Sequence, residues 1–292
     1  MNEMAKNKLD RILSKAGDVS FRRRVIRVFD YLDIQSGDVV LDCGCGEGFY
    51  TMTVKELYGD TCTVVSLDID VDLIKKAQEW LGDGRNGGFV AASMLRIPFR
   101  EKTFTKIIFS EVLEHVADDR AALAELKRVL ADKGVIALTV PNHNYPLLWD
   151  PLNKVREWLG WGHFSKDNGF WGGLWAMHLR LYYERDLEAV VAASGFSILK
   201  RNFITHYSLP FNHMILYVGK RIGGVISLPM SLAKAMEKFE WQQEQRGFAQ
   251  RCIGGVMGVI DFIDRFNDAV EDRSDISTVC IGMKLSKQDP GT

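Results

Sequence analysis

Missing from this chain is any apolar run approaching the ~18 residues that cross a bilayer, so no membrane-spanning helix is expected. Missing too is an apolar signal core, because Met1 to Asp18 is polar and mixed in charge. Cysteine is scarce: five occur in 292 residues, at 43, 45, 62, 252 and 280, and none form a C-x-x-C pair. The one close pair, Cys43 and Cys45, is one residue apart along a strand, where neighbours point to opposite faces. That geometry argues against a disulfide or a cysteine metal site, so no metal site is expected and reduced thiols are. An excess of one charge is also absent. With 37 Lys and Arg against 38 Asp and Glu the net charge is −1, which argues against a dedicated nucleic-acid binder. The one local basic cluster, Arg22, Arg23, Arg24 and Arg27, reads as the solvated face of a helix through Val25, Ile26, Phe29 and Leu32. Contact with an anionic ligand is the alternative for those arginines. Together these absences leave a cytoplasmic protein, with peripheral contact to a membrane surface left open.

What is there begins with bulk: 47% of the residues are hydrophobic, enough for one large domain with an appendage. The most informative stretch runs from Val39 to Thr51, an apolar strand that meets Asp42 and then Gly44, Gly46 and Gly48 before a helix begins. Glycines at such a turn take positive φ and let backbone approach a ligand closely. The end of that strand is where open α/β sheets bind ligands. A dinucleotide fingerprint spaces its glycines G-x-G-x-x-G around pyrophosphate. Here the spacing is G-x-G-x-G behind an acid, which suits a ligand carrying an ammonium group and disfavours a nicotinamide oxidoreductase.

Asp42-Cys43-Gly44-Cys45-Gly46-Glu47-Gly48 resembles the first motif of class I S-adenosylmethionine-dependent methyltransferases, and further motifs follow in order over residues ~20 to 204. A β-branched run from Thr63 ends at Asp68-Ile69-Asp70 and leads into a helix with Leu73, Ile74, Ala77 and Trp80 on one face. The resemblance implies that Asp68 accepts hydrogen bonds from the ribose hydroxyls and that Ile69 packs on adenine. Ser93-Met94-Leu95-Arg96-Ile97-Pro98-Phe99 resembles the third-strand loop, with Ser93 where the family usually places an acid near the adenine amino group. Ser110-Glu111-Val112-Leu113-Glu114-His115-Val116 follows the fourth strand and is very close to the family's S-x-V-L-E-H-V. A helix from Ala121 to Leu130, a fifth strand from Gly134 to Val140 and a sixth from Phe196 to Ile204 complete the series. The cofactor residues so implied are Asp42, Gly44, Cys45, Gly46, Gly48, Asp68, Ile69, Ser93, Met94 and Ser110, and the cofactor is S-adenosyl-L-methionine. The fold implied is α/β, a doubly wound seven-stranded sheet, mostly parallel, whose last strand (Ser277 to Leu285) runs antiparallel next to strand six.

Two regions depart from a minimal domain. Residues 141–183 hold five of the seven tryptophans with His143, His163 and His178, which suggests an aromatic lid over a sizeable apolar or ring-bearing substrate. His178-Leu179-Arg180-Leu181-Tyr182 resembles a segment of the quinone-biosynthesis branch of the type 11 family. Between strands six and seven lie about 70 residues, including apolar stretches at 215–235 and 253–266; Met257, Ile260, Ile263 and Phe266 recur at helical spacing. They read as a helical cap or a dimer interface, or as an interfacial element admitting a lipid-linked substrate. The expected organisation is a methyltransferase domain over 1–206, a helical insertion over 207–274 and a final strand and tail over 275–292.

Transfer from a sulfonium is an in-line displacement, so catalysis rests mainly on holding donor and acceptor together in a water-poor cavity. An acidic-carbon or hydroxyl acceptor also needs a base. His143, just beyond strand five, is the first candidate, with His115, His178 and Glu111 as alternatives. The function implied is methyl transfer to oxygen or carbon of a small or lipid-like acceptor; the alternative is a catalytically silent module that binds S-adenosylmethionine or S-adenosylhomocysteine.

Overall fold

The computed structural model describes residues 1, 3–14, 16, 18–81, 87–165, 171–208, 248–270 and 272–288. Seven strands form one sheet: β1 (Val39–Cys43), β2 (Thr63–Asp68), β3 (Gly87–Ala91), β4 (Phe104–Ser110), β5 (Leu130–Pro141), β6 (Phe196–Ile204) and β7 (Cys280–Lys287). Their order is β3-β2-β1-β4-β5-β7-β6, parallel except that β7 runs antiparallel to both β5 and β6. The last strand therefore wedges between its neighbours in sequence order and hydrogen-bonds to both.

Alternation along each strand divides the core into two layers. Leu41, Cys43, Ile107, Phe109, Ile136 and Leu138 face α5 (Asp119–Val129) and the helix Glu184–Ala193, while Val40, Ile108, Val135 and Ala137 face α1 (Glu3–Leu13), α2 (Val19–Leu32) and α3 (Phe49–Tyr58). Asp18 caps α2 by accepting the Ser20 and Phe21 amides, and Asp118 caps α5 through Ala121. On α5, Leu123, Leu126 and Val129 are fully buried, as their spacing predicts. The chain leaves this helix earlier than expected: Leu130 already pairs with Phe104, and a register shift follows before Lys106 meets Val135. The helix α4 (Val71–Leu81) buries Ile74 and Ala77; the side chain of Trp80 lies outside what is described.

Two expectations are corrected. The basic cluster is neither a solvated face nor an anion site. Arg22 and Arg23 pair with Asp261, Asp264 and Asp268 on the long helix Phe248–Val270, and Arg24, only 12% exposed, pairs with Glu111 at 3.3 Å. Asp261, Asp264 and Asp268 lie more than 200 residues from Arg22 and Arg23, beyond any local window. On the long helix, Ile260 is buried but Phe266 is exposed, because Asn267 turns inward instead. Its side-chain oxygen accepts the His206 and Tyr207 amides at 2.8 Å each, so a polar clasp, not an apolar contact from Phe266, holds the chain just beyond β6. The apolar stretch at 215–235 lies outside the described residues. Among those described, no helix is long and apolar enough to cross a membrane.

Candidate active site

The glycine loop follows β1 and is tied to the end of β2: Gly44 and Cys45 both donate to the Leu67 carbonyl, at 2.7 and 3.0 Å. Gly44 has φ +79°, and a Cβ there would lie 2.5 Å from Val112 Cγ2, so this glycine is required by the loop that follows β4. Gly46, at φ +53°, has nothing within 4 Å of its missing Cβ and faces open space. Gly48 precedes α3 in a left-handed conformation.

Asp42 is 1% exposed, and its carboxylate accepts both the amide and the hydroxyl of Thr51, at 3.0 and 2.7 Å. It thus holds the first turn of α3 against β1. Burial pushes its pKa up to about 6 despite those two hydrogen bonds. Asp68, at the tip of β2, spreads its two oxygens over the Gly46 and Asp70 amides, at 2.8 and 2.9 Å. Asp70 in turn accepts from Asp72 and Leu73, so Asp70 is the helix cap and Asp68 the residue that braces the glycine loop. Beside it Ile69 stands 71% exposed, an apolar side chain without cover at the rim.

Ser93 accepts the Leu95 amide through its hydroxyl at 3.2 Å, and Met94 packs partly buried against the core. Cys45 is buried with its thiol pKa driven up by desolvation, which suits a neutral packing residue rather than a nucleophile. Ser110 joins a chain of side-chain hydrogen bonds, with Tyr50 at 2.9 Å and Thr139 at 2.8 Å; Thr139 donates to Glu111 at 3.2 Å. Glu111 is held in turn by Arg24, so among the alternative bases it is already neutralised.

The other half of the rim is assembled by segment 178–183, which runs beside the end of β5. His143 donates its amide to the Tyr182 carbonyl, Tyr182 donates to Pro141, and Leu179 donates to Glu114. Arg180 and the Tyr182 hydroxyl both reach Asp119, at 2.8 and 3.0 Å, locking the segment to the start of α5. This brings His115 and His178 within 4.7 Å, ring centre to ring centre, although 63 residues separate them. His143 lies elsewhere on the rim, half-buried in a cavity of about 680 Å³ with Tyr145, Lys154, Trp158, Trp175 and Tyr183. Its ring stacks on Tyr183 at 4.2 Å and meets Trp175 edge to face at 5.6 Å. Desolvation lowers its pKa, leaving the neutral imidazole at physiological pH. The tryptophans divide: Trp149 and Trp175 are buried, while Trp158, Trp161 and Trp171 are exposed.

Residues 41–138 match the family model described as a methyltransferase domain. This chain contains a class I S-adenosylmethionine-dependent methyltransferase domain. Relatives include the ubiquinone/menaquinone biosynthesis C-methyltransferase UbiE of Paraburkholderia xenovorans, 26% identical over 65% of this chain and 77% of that one. A demethylmenaquinone methyltransferase of Staphylococcus saprophyticus is 27% identical over 44% of this chain and 54% of its own, and a Methanocaldococcus jannaschii protein is 32% identical over 53% and 56%. The chain thus spans about half the length of the latter two curated relatives. Among solved structures, a Haemonchus contortus phosphoethanolamine N-methyltransferase superposes with a TM-score of 0.55 at 14% identity, covering 92% of this chain and 53% of that one. The [4+2]-cyclase SpnF superposes at 0.54 with 13% identity, over 91% and 81%. At such identities the likeness is one of fold.

The methyltransferase domain's cofactor is S-adenosylmethionine, and the residues present fit it. The open space over Gly46, the braced Asp68 carboxylate and the uncovered Ile69 leave a backbone cradle, an acceptor for hydroxyls and an apolar shelf side by side. Most of this half was readable from local motifs. The Arg24–Glu111 pair, the Asp119 lock and the His115–His178 approach were not, since each joins segments far apart in sequence.

Proposed function

We propose that this chain transfers a methyl group from S-adenosylmethionine to oxygen or carbon of a small or lipid-like acceptor. The observation that carries the reading is the aromatic cavity around His143, at the carboxyl end of β5, on the same rim of the sheet as the glycine loop. Its walls combine the flat faces of Tyr145, Trp158, Trp175 and Tyr183 with polar groups from Asn144, Lys154, Glu157 and His163, a lining that offers a ring-bearing acceptor both apolar area and hydrogen-bond partners. The quinone-pathway relatives favour a ring carbon over oxygen.

S-adenosylmethionine supplies an electrophilic methyl on a sulfonium, so the protein's share is placement and proton removal. Asp68, Ile69 and the Gly46 backbone would hold ribose and adenine. Asp42 contributes indirectly by holding α3 on β1. His143, neutral because it is desolvated and fixed by the Tyr183 stack, is the base that would take the acceptor's proton.

The test is calorimetric titration with S-adenosylmethionine, S-adenosylhomocysteine and NAD, then turnover with demethylated quinols in detergent. Micromolar binding of the first two and methylated product are expected. His143→Ala should lower kcat roughly 100-fold with cofactor affinity unchanged. The wild-type rate should stay on its plateau down to a pH below the ordinary histidine range, because the His143 pKa is lowered. Binding of NAD alone, or cofactor binding with no acceptor turned over, would overturn the proposal.

A further inference from the structure

Glu114 has no exposed surface, and neither of its carboxylate oxygens accepts a hydrogen bond. It occupies the short turn Leu113–His115 after β4, whose neighbour Val112 packs on the glycine loop. A buried carboxyl without a partner is costly and is relieved either by a proton or by a cation. Burial and the nearby Glu111 carboxylate drive its pKa well above the usual range, which is the proton's answer.

The surroundings are arranged for the cation. His115 Nδ1 lies 3.0 Å from the Met177 carbonyl and His178 Nδ1 lies 2.6 Å from the Leu174 carbonyl. A carbonyl only accepts, so both Nδ1 atoms carry hydrogen, and each ring in its neutral form presents the Nε2 lone pair. Those nitrogens stand 3.9 and 3.8 Å from Glu114 Oε1, too far to hydrogen-bond to it. A histidine whose far nitrogen is tied to a carbonyl is the usual posture of a metal ligand. The three donor atoms all lie within 4.8 Å of one another.

We propose that Glu114, His115 and His178 bind a divalent first-row transition ion. Two imidazoles and one carboxylate suit zinc, manganese, iron or cobalt; magnesium and calcium prefer all-oxygen sets. With metal–nitrogen bonds of ~2.0–2.1 Å, tetrahedral donors stand roughly 3.3 Å apart, so each Glu114–histidine separation closes by about half an ångström on loading. Three protein ligands leave at least one position for water or another oxygen donor, on the side where His115 is exposed. Glu111, committed to Arg24 and Thr139, stays outside the shell. The proposal is independent of methyl transfer.

The full chain, stripped with chelator and desalted, is titrated with cobalt(II) chloride and then with zinc chloride. Visible cobalt bands saturating at one equivalent and displaced by zinc are expected. Glu114→Gln and His178→Gln should each weaken cobalt binding at least tenfold, while His163→Ala, outside the cluster, binds as the unaltered chain does. No bands at millimolar cobalt, or undiminished affinity in both cluster variants, overturns the site. If those variants fail to fold by circular dichroism, manganese(II) added to the unaltered chain decides. Broadening of the His115 and His178 ring protons ahead of other histidines supports the site; broadening elsewhere or none overturns it.

Discussion

The two halves of the sheet's carboxyl rim are built by different means. On the β1–β2 side, each residue finds its partner through a local turn or an adjacent parallel strand: Asp42 holds Thr51 and Asp68 holds Gly46 and Asp70. On the β4–β5 side, the partners come from far along the chain: Arg24 to Glu111, Asp119 to Arg180, His115 to His178. The first half is stiff and backbone-rich, as a shared cofactor demands. The second is assembled from side chains on loops, where one fold is fitted to different acceptors.

The sharpest test of that contrast is at a point where the halves touch. Gly44→Ala should drive a methyl into Val112 from a left-handed backbone, lowering stability by roughly 2–4 kcal/mol and abolishing tight cofactor binding. Gly46→Ala meets nothing and should cost about 1 kcal/mol in thermal unfolding; equal losses would mean that the halves are not in contact there.

Asp42 provides the next largest effect. Its folded pKa, about 6, lies above the unfolded 3.8, so the native state holds the extra proton between those values and stability falls as pH rises through the window. In Asp42→Asn that slope should vanish, with the difference between the two proteins changing by roughly 2–3 kcal/mol between pH 4 and 7 in cofactor-free denaturation. A constant difference would place the carboxyl in water.

Asp68→Ala removes the brace from the Gly46 amide and should weaken S-adenosylmethionine binding by roughly 1–3 kcal/mol in calorimetry. The smallest effect belongs to the lid. Trp161, 66% exposed, should cost less than about 0.5 kcal/mol of stability when replaced by alanine, yet raise the acceptor KM if the lid meets substrate. A large drop in Tm instead would mean that Trp161 packs the domain.

The amino-acid sequence by itself determined the order of strands and helices, the glycine loop and the acids at strand tips. These depend on period-two and period-3.6 patterning and on turn chemistry, all expressed within a few residues. It left open which charges meet: Arg22 and Arg23 looked solvent-facing until the long helix brought Asp261, Asp264 and Asp268 to them. It put His143 first as a base, with His115, His178 and Glu111 as alternatives, and could not separate their surroundings. Only the tertiary structure sent His143 into an aromatic cavity and set His115 beside His178 over a buried carboxyl, because segment 178–183 pairs with the end of β5. Side-chain chemistry across such distances is decided by which surfaces pack, and packing is a property of the whole chain rather than of any window in it.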